Sequence, residues 1–439
     1  MDAGTTVVVA KQTLITFGTL LGIGTLGGFL ASKIRIPDVA IFLLVGMAIG
    51  PEGFALVEIR ADSALNQLIL IFGSCYILFD GGASLRFKVL KEVWLTIVII
   101  STVGVLITCF ATGLVAYFAL HTPMIVALLL GATLASTDPA VLVPIFKQVR
   151  VKDRVAQTVM SESAFNDAMG AIVTFAILNI ALGLGTFDVH ETLFKFIKEA
   201  GLGIVAGAIL GYLAALLIAH EKWCFLTEYA PVVTLMSVIS AYMVTDGMEA
   251  SGFMAVFVFG LVLGNKNIFG FRMEPNEKKR MEEFIMTTSF IMRMFIFLLL
   301  GSQVSFALMN KYLLPGLLIV SALIFVARPL AVYLCTLPDR KAKWERNELL
   351  FMCWTRETGV IPGALAGMLV GMKAPGAEMI ASVTFLAILI TIVLQATTTR
   401  WLAGRLGLLV EEQPRPHMEH GKRSLPPPVP IQVAETQGY

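Results

Sequence analysis

Thirteen apolar stretches divide the chain, and they constrain its fold more than any other feature. They lie at 8–31, 37–50, 63–85, 93–118, 123–146, 154–183, 193–219, 227–246, 251–264, 281–304, 312–335, 347–372 and 378–402. A spanning helix needs about 20 apolar residues. A bilayer offers the backbone no water to bond with, so only helices or closed barrels can cross it. Runs of this length predict an all-α polytopic membrane protein with thirteen transmembrane helices. A composition 57% hydrophobic and 15% charged excludes an ordinary soluble domain. A net charge of +2 gives nucleic acid nothing to hold. The N-terminus lacks a basic leader and a small-residue cleavage site, so no signal peptide is expected.

Loop charges fix an expected orientation. Alternate loops carry the Lys and Arg: from Lys33 and Arg35, through Arg86, Lys88 and Lys91, to Lys147, Arg150, Lys152 and Arg154. The same side takes Lys222, the cluster Lys266, Arg272, Lys278, Lys279 and Arg280, then Arg340 to Arg346, and finally Arg400 and Arg405. The opposite loops hold little beyond Arg60, Lys195, Lys198, Lys311 and Lys373. Basic loops stay in the cytoplasm. This places the N-terminus outside and the C-terminus inside. Residues 1–405 then form the transmembrane domain. Residues 406–439, polar and proline-rich, read as a short disordered cytoplasmic tail.

The chain also repeats itself. Thr137-Asp-Pro-Ala-Val-Leu-Val-Pro144 resembles Thr355-Arg-Glu-Thr-Gly-Val-Ile-Pro362, and the short glycine-rich spans 37–50 and 251–264 resemble each other at nearly the same shift. One span, 193–219, separates two six-span halves, roughly 8–183 and 227–402, so the halves must be inverted. Inverted repeats with broken helices at matching positions point to a secondary transporter. Pro139, Pro144 and Pro362 remove helical N–H donors and free the carbonyls of Ala135, Ala140 and Thr358. Freed carbonyls at membrane depth line cavities or bind something, and oxygen donors suit a hard alkali cation. Asp138 and Arg356 occupy the two breaks, where each can offset an exposed helix-end dipole.

Span 154–183 carries Glu162, Ser163, Asn166 and Asp167. An intramembrane charge costs at least ~2.5–3.5 kcal/mol, which makes it functional by default. Ser163 and Asp167 share a face at i, i+4, and Glu162 and Asn166 form a neighbouring stripe. Glu162 needs a cation, and Arg356 is assigned to it as a structural ion pair. That leaves Asp167 to hold either a proton or a metal cation, which couples the two fluxes by competition. Asp80, in ILFDGGASL, reads as a third ion ligand, a charge at the access funnel or a helix-end acid. Arg293 and Arg328 also fall within spans, each able to pair with an acid or to snorkel. The five cysteines show no metal-ligand spacing, and the five histidines fall in loops or the tail. Intramembrane proton chemistry therefore rests on carboxylates.

The segments ASTDPAVLVP and SESAFND resemble the monovalent cation:proton antiporter-1 family, the NhaP and NHE group. The resemblance runs to about residue 405. It implies an antiporter with no cofactor and no enzymatic chemistry, exchanging Na+ or Li+ for H+ by alternating access in a prokaryotic or archaeal plasma membrane. It implies a homodimer, each protomer with an ion-translocating bundle and an interface domain, and crossed, partly unwound helices at 137–139 and 355–359. The family's ion-binding residues fall on Thr137, Asp138, Ser163, Asn166 and Asp167, with Na+ at Asp167, Ser163 and Thr137. Its Glu–Arg pair falls on Glu162 and Arg356, and its acid in the third span on Asp80. Asn166 stands where electrogenic relatives carry a second Asp, which implies electroneutral one-for-one exchange. Potassium suits the same oxygen ligands, so K+/H+ exchange is the alternative, and a cation channel is a further one. An intramembrane aspartyl protease would require a GxGD motif, which is absent.

Overall fold

The computed structural model describes residues 3–34, 36–59, 63–184, 189–219 and 225–410. Arg35, Arg60, Lys222 and the tail from residue 411 lie outside the described residues. The described chain is all helical: α1 (Ala3–Ile34), α2 (Asp38–Ile49), α3 (Ala64–Ser84), α4 (Phe87–Leu120), α5 (Met124–Thr133), α6 (Pro139–Gln148), α7 (Asp153–Ala181), α8 (Val189–Ala219), α9 (Ala230–Gly247), α10 (Gly252–Gly264), α11 (Pro275–Ser302), α12 (Phe306–Lys311), α13 (Leu313–Ala322), α14 (Arg328–Thr336), α15 (Arg346–Trp354), α16 (Val360–Gly371), α17 (Ala377–Ile390) and α18 (Thr397–Arg405). Each of the thirteen apolar stretches falls on helix. Among the described residues, nine are long and apolar enough to cross a membrane, and four more apolar helices are shorter. Large apolar side chains such as Leu14, Leu26, Phe110 and Phe118 stand exposed on the outer helices, as lipid-facing surfaces require.

The short glycine-rich helices have a packing reason. Backbones approach closely only where no Cβ intervenes. A Cβ on Gly46 of α2 would meet the carbonyl oxygen of Leu298 on α11 at 2.3 Å, and one on Gly301 of α11 would meet that of Leu43 at 2.2 Å. The α3–α10 contact repeats this: Gly82 faces the Phe257 carbonyl at 2.2 Å and Gly260 faces the Phe79 carbonyl at 2.3 Å. Second helix with eleventh and third with tenth is the exchange that a two-fold axis between the halves would produce. Asp38 and Arg293 lock the α2–α11 contact with an ion pair of 3.1 Å, so the partner of Arg293 is an acid.

The two spans expected to be partly unwound, at 137–139 and 355–359, are broken there. Span 123–146 becomes α5 and α6 with a non-helical link, and span 347–372 becomes α15 and α16. The prolines do not simply kink these helices. Pro139 opens α6 and Pro362 lies in the first turn of α16, positions where the missing N–H has no helical partner to lose. Two further spans contain a π-helical turn, Leu323–Ala327 just before Arg328, and Thr391–Ala396. Such turns concentrate at functional sites, and both of these adjoin the breaks.

Candidate functional site

The two broken helices meet through their unwound links. The amide of Asp138 donates to the carbonyl of Glu357 at 3.0 Å. The Asp138 carboxylate accepts from the amide of Val360 at 2.7 Å, at the first residue of α16. Arg356 donates to the carbonyls of Leu134 and Ala135, at 2.9 and 2.7 Å, at the end of α5. Each link thus supplies the charge that the other's helix end needs: an anion at an N-terminus, a cation at a C-terminus. The Ala135 carbonyl that has no donor in Pro139 is taken by the guanidinium. The link from α15 is held from behind by the second π turn. Thr391 Oγ1 accepts from the Thr358 amide at 3.1 Å, and the Gln395 side-chain amide donates to the Trp354 carbonyl at 2.6 Å.

Gly359 permits this contact. A Cβ there would lie 1.9 Å from the Asp138 Oδ2 and 2.6 Å from its Cβ and Cγ. The space at this position therefore requires glycine. Gly359→Ala is expected to destabilise the protein by ~1–3 kcal/mol, the range for overpacking, and to lower cation-dependent proton flux severalfold. Gly367→Ala on α16, where a Cβ would meet nothing within 4 Å, serves as the control. Equal unfolding temperatures and fluxes for the two variants would contradict the role given to Gly359.

Facing the crossing is α7. Thr137 Oγ1 donates to Ser163 Oγ at 2.9 Å and accepts from Asn166 Nδ2 at 2.8 Å, while the Thr137 amide donates to Asn166 Oδ1 at 3.1 Å. Ser136 Oγ donates to Asp167 Oδ1. The other Asp167 oxygen, Oδ2, is buried with no hydrogen-bond partner. All five side chains are at most 2% exposed. The structure therefore brings Thr137, Ser163, Asn166 and Asp167 together, and adds Ser136. Glu162, on the Asn166 edge of α7, turns away from them to another partner.

The expected Glu162–Arg356 pair is corrected. Glu162 is clasped by Arg328, whose two terminal nitrogens each reach one carboxylate oxygen, the second at 2.9 Å, while its Nε donates to the Met352 carbonyl at 2.9 Å. Arg356 is committed to the carbonyls of α5, and Arg328, at the head of α14 after a π turn, is the cation that faces α7. Of the two readings open to Arg328, pairing with an acid or snorkelling, the structure shows the pair; a buried arginine in mid-span signals a partner as clearly as an acid does.

Asp138, expected among the ion ligands, spends a carboxylate oxygen on α16. Asp80, also expected there, lines a cleft of about 890 Å³ with Lys266, Arg272 and Glu282, and none of the Thr137–Asp167 group lines it. Glu357, which carried no assignment, is fully buried, with no hydrogen-bond partner on either carboxylate oxygen.

The chain is similar to known proteins along most of its length. A family model described as sodium/hydrogen exchanger, transmembrane, matches residues 19–405. The chain is 34% identical over 427 residues to the Na(+)/H(+) antiporter 1 of Methanocaldococcus jannaschii, covering 91% of this chain and 96% of that protein. It is 30% identical over 403 residues to the K(+)/H(+) antiporter NhaP of Alkalimonas amylolytica, covering 89% of this chain and 67% of that protein. The solved structure of the sodium proton antiporter MjNhaP1 from Methanocaldococcus jannaschii at pH 8 superposes with a TM-score of 0.74 at 31% identity, covering 90% of this chain and 99% of that one.

Proposed function

The chain belongs to the transmembrane sodium/hydrogen exchanger family, and from that premise we propose that it is a secondary antiporter that exchanges Na+ or Li+ for H+ at Asp167. The observation that carries this reading is the Asp167 carboxylate, buried with one oxygen bound by Ser136 and the other without a partner. An ionised carboxylate oxygen buried without a partner costs several kcal/mol. A proton or a monovalent cation removes that cost, and the two cannot occupy the same oxygen together. The Ser163 and Thr137 hydroxyls, 2.9 Å apart, are hard oxygen donors suited to an alkali cation. Asp167, Ser163 and Thr137 are the residues that would hold the substrate cation.

Asn166 is read as a positioning residue. Its amide spans the Thr137 amide and hydroxyl, holding the unwound link against α7. It brings no charge, so the exchange is read as electroneutral, one cation for one proton. Alternating access is then read as the ion-translocating bundle that holds the crossing moving against the interface domain, in a homodimer whose basic ends face the cytoplasm. The plasma membrane of a prokaryote or archaeon is the setting of this reading.

The test is fluorescence dequenching in proteoliposomes carrying a pH-gradient dye, titrated with Na+, Li+ and K+ across pH. Dequenching by Na+ and Li+, unaltered by clamping the membrane potential, is expected. Dequenching by K+ alone would assign the K+/H+ reaction named for the Alkalimonas relative. Single-channel currents in planar bilayers would overturn the exchanger reading.

A further inference from the structure

The basic cluster of the loop between α10 and α11 takes no part in the ion site, and it lines the cleft that opens at the ends of α3 and α10 and the start of α11. The wall on the loop and α11 bears Lys266, Arg272, Lys278 and Lys279. The acids Asp80, Glu282 and Glu283 share the cleft. Glu282 and Glu283 pair with Lys278 and Lys279 at 3.7 and 3.8 Å, all four side chains more than half exposed. Pairs of that kind contribute little and yield readily to a stronger anion.

Lys266 differs. It sits on the 3-10 turn Lys266–Phe269, just past the end of α10, and is only 6% exposed. Among the described residues no carboxylate lies within ion-pair distance of Lys266 or of Arg272. Burial pulls the Lys266 amine below the ordinary lysine range, the Lys278 charge pulls the same way, and Glu282 opposes them. A buried, unpaired ammonium is a cost that a bound anion would remove.

Beside the polar Ser84 and Asn267, the rest of the cleft is mostly apolar, with Phe79, Leu263, Met281 and Ile285 on its wall and Met286 at 58% exposure on its rim. A volume of about 890 Å³ exceeds what a bare phosphate fills and falls in the usual range for larger ligands. Basic pockets between transmembrane helices at the cytoplasmic side, where anionic lipids concentrate, bind phospholipid headgroups.

We propose that this cleft is a binding site for an anionic phospholipid, with Lys266 and Arg272 holding the headgroup phosphate and the methionine-lined wall taking the upper acyl chain. The phosphate chemistry is shared with soluble phosphates; the apolar wall and the position at the bundle's basic end favour the lipid.

Native mass spectrometry of the detergent-purified protein, offered phosphatidylglycerol, phosphatidylcholine or inorganic pyrophosphate, tests this. Phosphatidylglycerol is expected to stay bound where phosphatidylcholine does not. The double variant Lys266→Gln/Arg272→Gln should weaken retention roughly tenfold or more, from ~1 kcal/mol per basic contact. Arg272→Lys should restore part of it beside Arg272→Gln. Lys195→Gln/Lys198→Gln, at the opposite end, should leave retention unchanged. Unfolding temperature in detergent checks that each variant is folded; Arg272→Gln, on an exposed loop, keeps the test available should Lys266→Gln unfold. Retention should fall as pH rises, and fall below the pH at which ordinary lysines lose their charge, because Lys266 must be protonated to hold phosphate. Equal retention of phosphatidylcholine, retention unmoved by the folded variants, or pyrophosphate binding as well as the lipid would each overturn the proposal.

Discussion

Replacing Asp167 with asparagine is expected to reduce cation-dependent proton flux in proteoliposomes to the level of protein-free vesicles. Asparagine keeps the size of the side chain and an oxygen to accept from Ser136. It carries neither a transferable proton nor a charge to hold a cation. The loss should come without unfolding, since the variant removes a buried charge rather than a packing contact, and an unfolding temperature at or above wild type is expected. Glu357→Gln is the companion measurement, because Glu357 is buried and unpartnered as well; in the present account it leaves flux measurable. Sodium-dependent flux retained by folded Asp167→Asn would end the assignment of Asp167.

The second large effect concerns stability. Removing one member of a buried ion pair typically costs 3–5 kcal/mol, because the other charge remains buried, whereas replacing both with apolar residues of similar size is often neutral. Glu162→Gln and Arg328→Met are therefore each expected to destabilise strongly. The double variant Glu162→Leu/Arg328→Met should recover most of the loss. Combining Glu162→Gln with Arg356→Gln should give no recovery, since Arg356 serves the Leu134 and Ala135 carbonyls. Thermal unfolding of the four variants in one detergent measures the coupling. A recovery specific to Arg356 would reverse the assignment.

The path from sequence to site explains why one partner was legible and another was not. The spans could be read because a bilayer forces every backbone group into internal bonds. The group on α7 could be read because 162, 163, 166 and 167 share one short helical stretch, where spacing fixes the faces. The crossing could be read from charges at matching breaks. The partner of Glu162 required more. Arg328 and Arg356 are both buried arginines in the second half, and both meet the requirement of charge. Choosing between them needs the reach of the Arg328 side chain from the head of α14 to Glu162 and the π turn that ends before it, which no local pattern encodes. The demand of the freed carbonyls on Arg356 was the available clue: a guanidinium bonded to the end of α5 is not the one that clasps Glu162. Asp80 was similarly underdetermined. Its place on α3 says that it is buried, while the cleft it lines depends on α10 and α11. Pro139 and Pro362 signalled the breaks but not their geometry, since they stand in the first turns of helices rather than interrupt them.

The central claim is that a proton and an alkali cation compete for the Asp167 carboxylate. Proton release on adding Na+ to the purified protein in lightly buffered detergent solution, followed by a pH dye, tests it most directly. The account predicts that a proton is released as each cation binds, that lower pH weakens Na+ binding, and that Asp167→Asn releases none. Sodium binding with no proton release in the wild-type protein would contradict it.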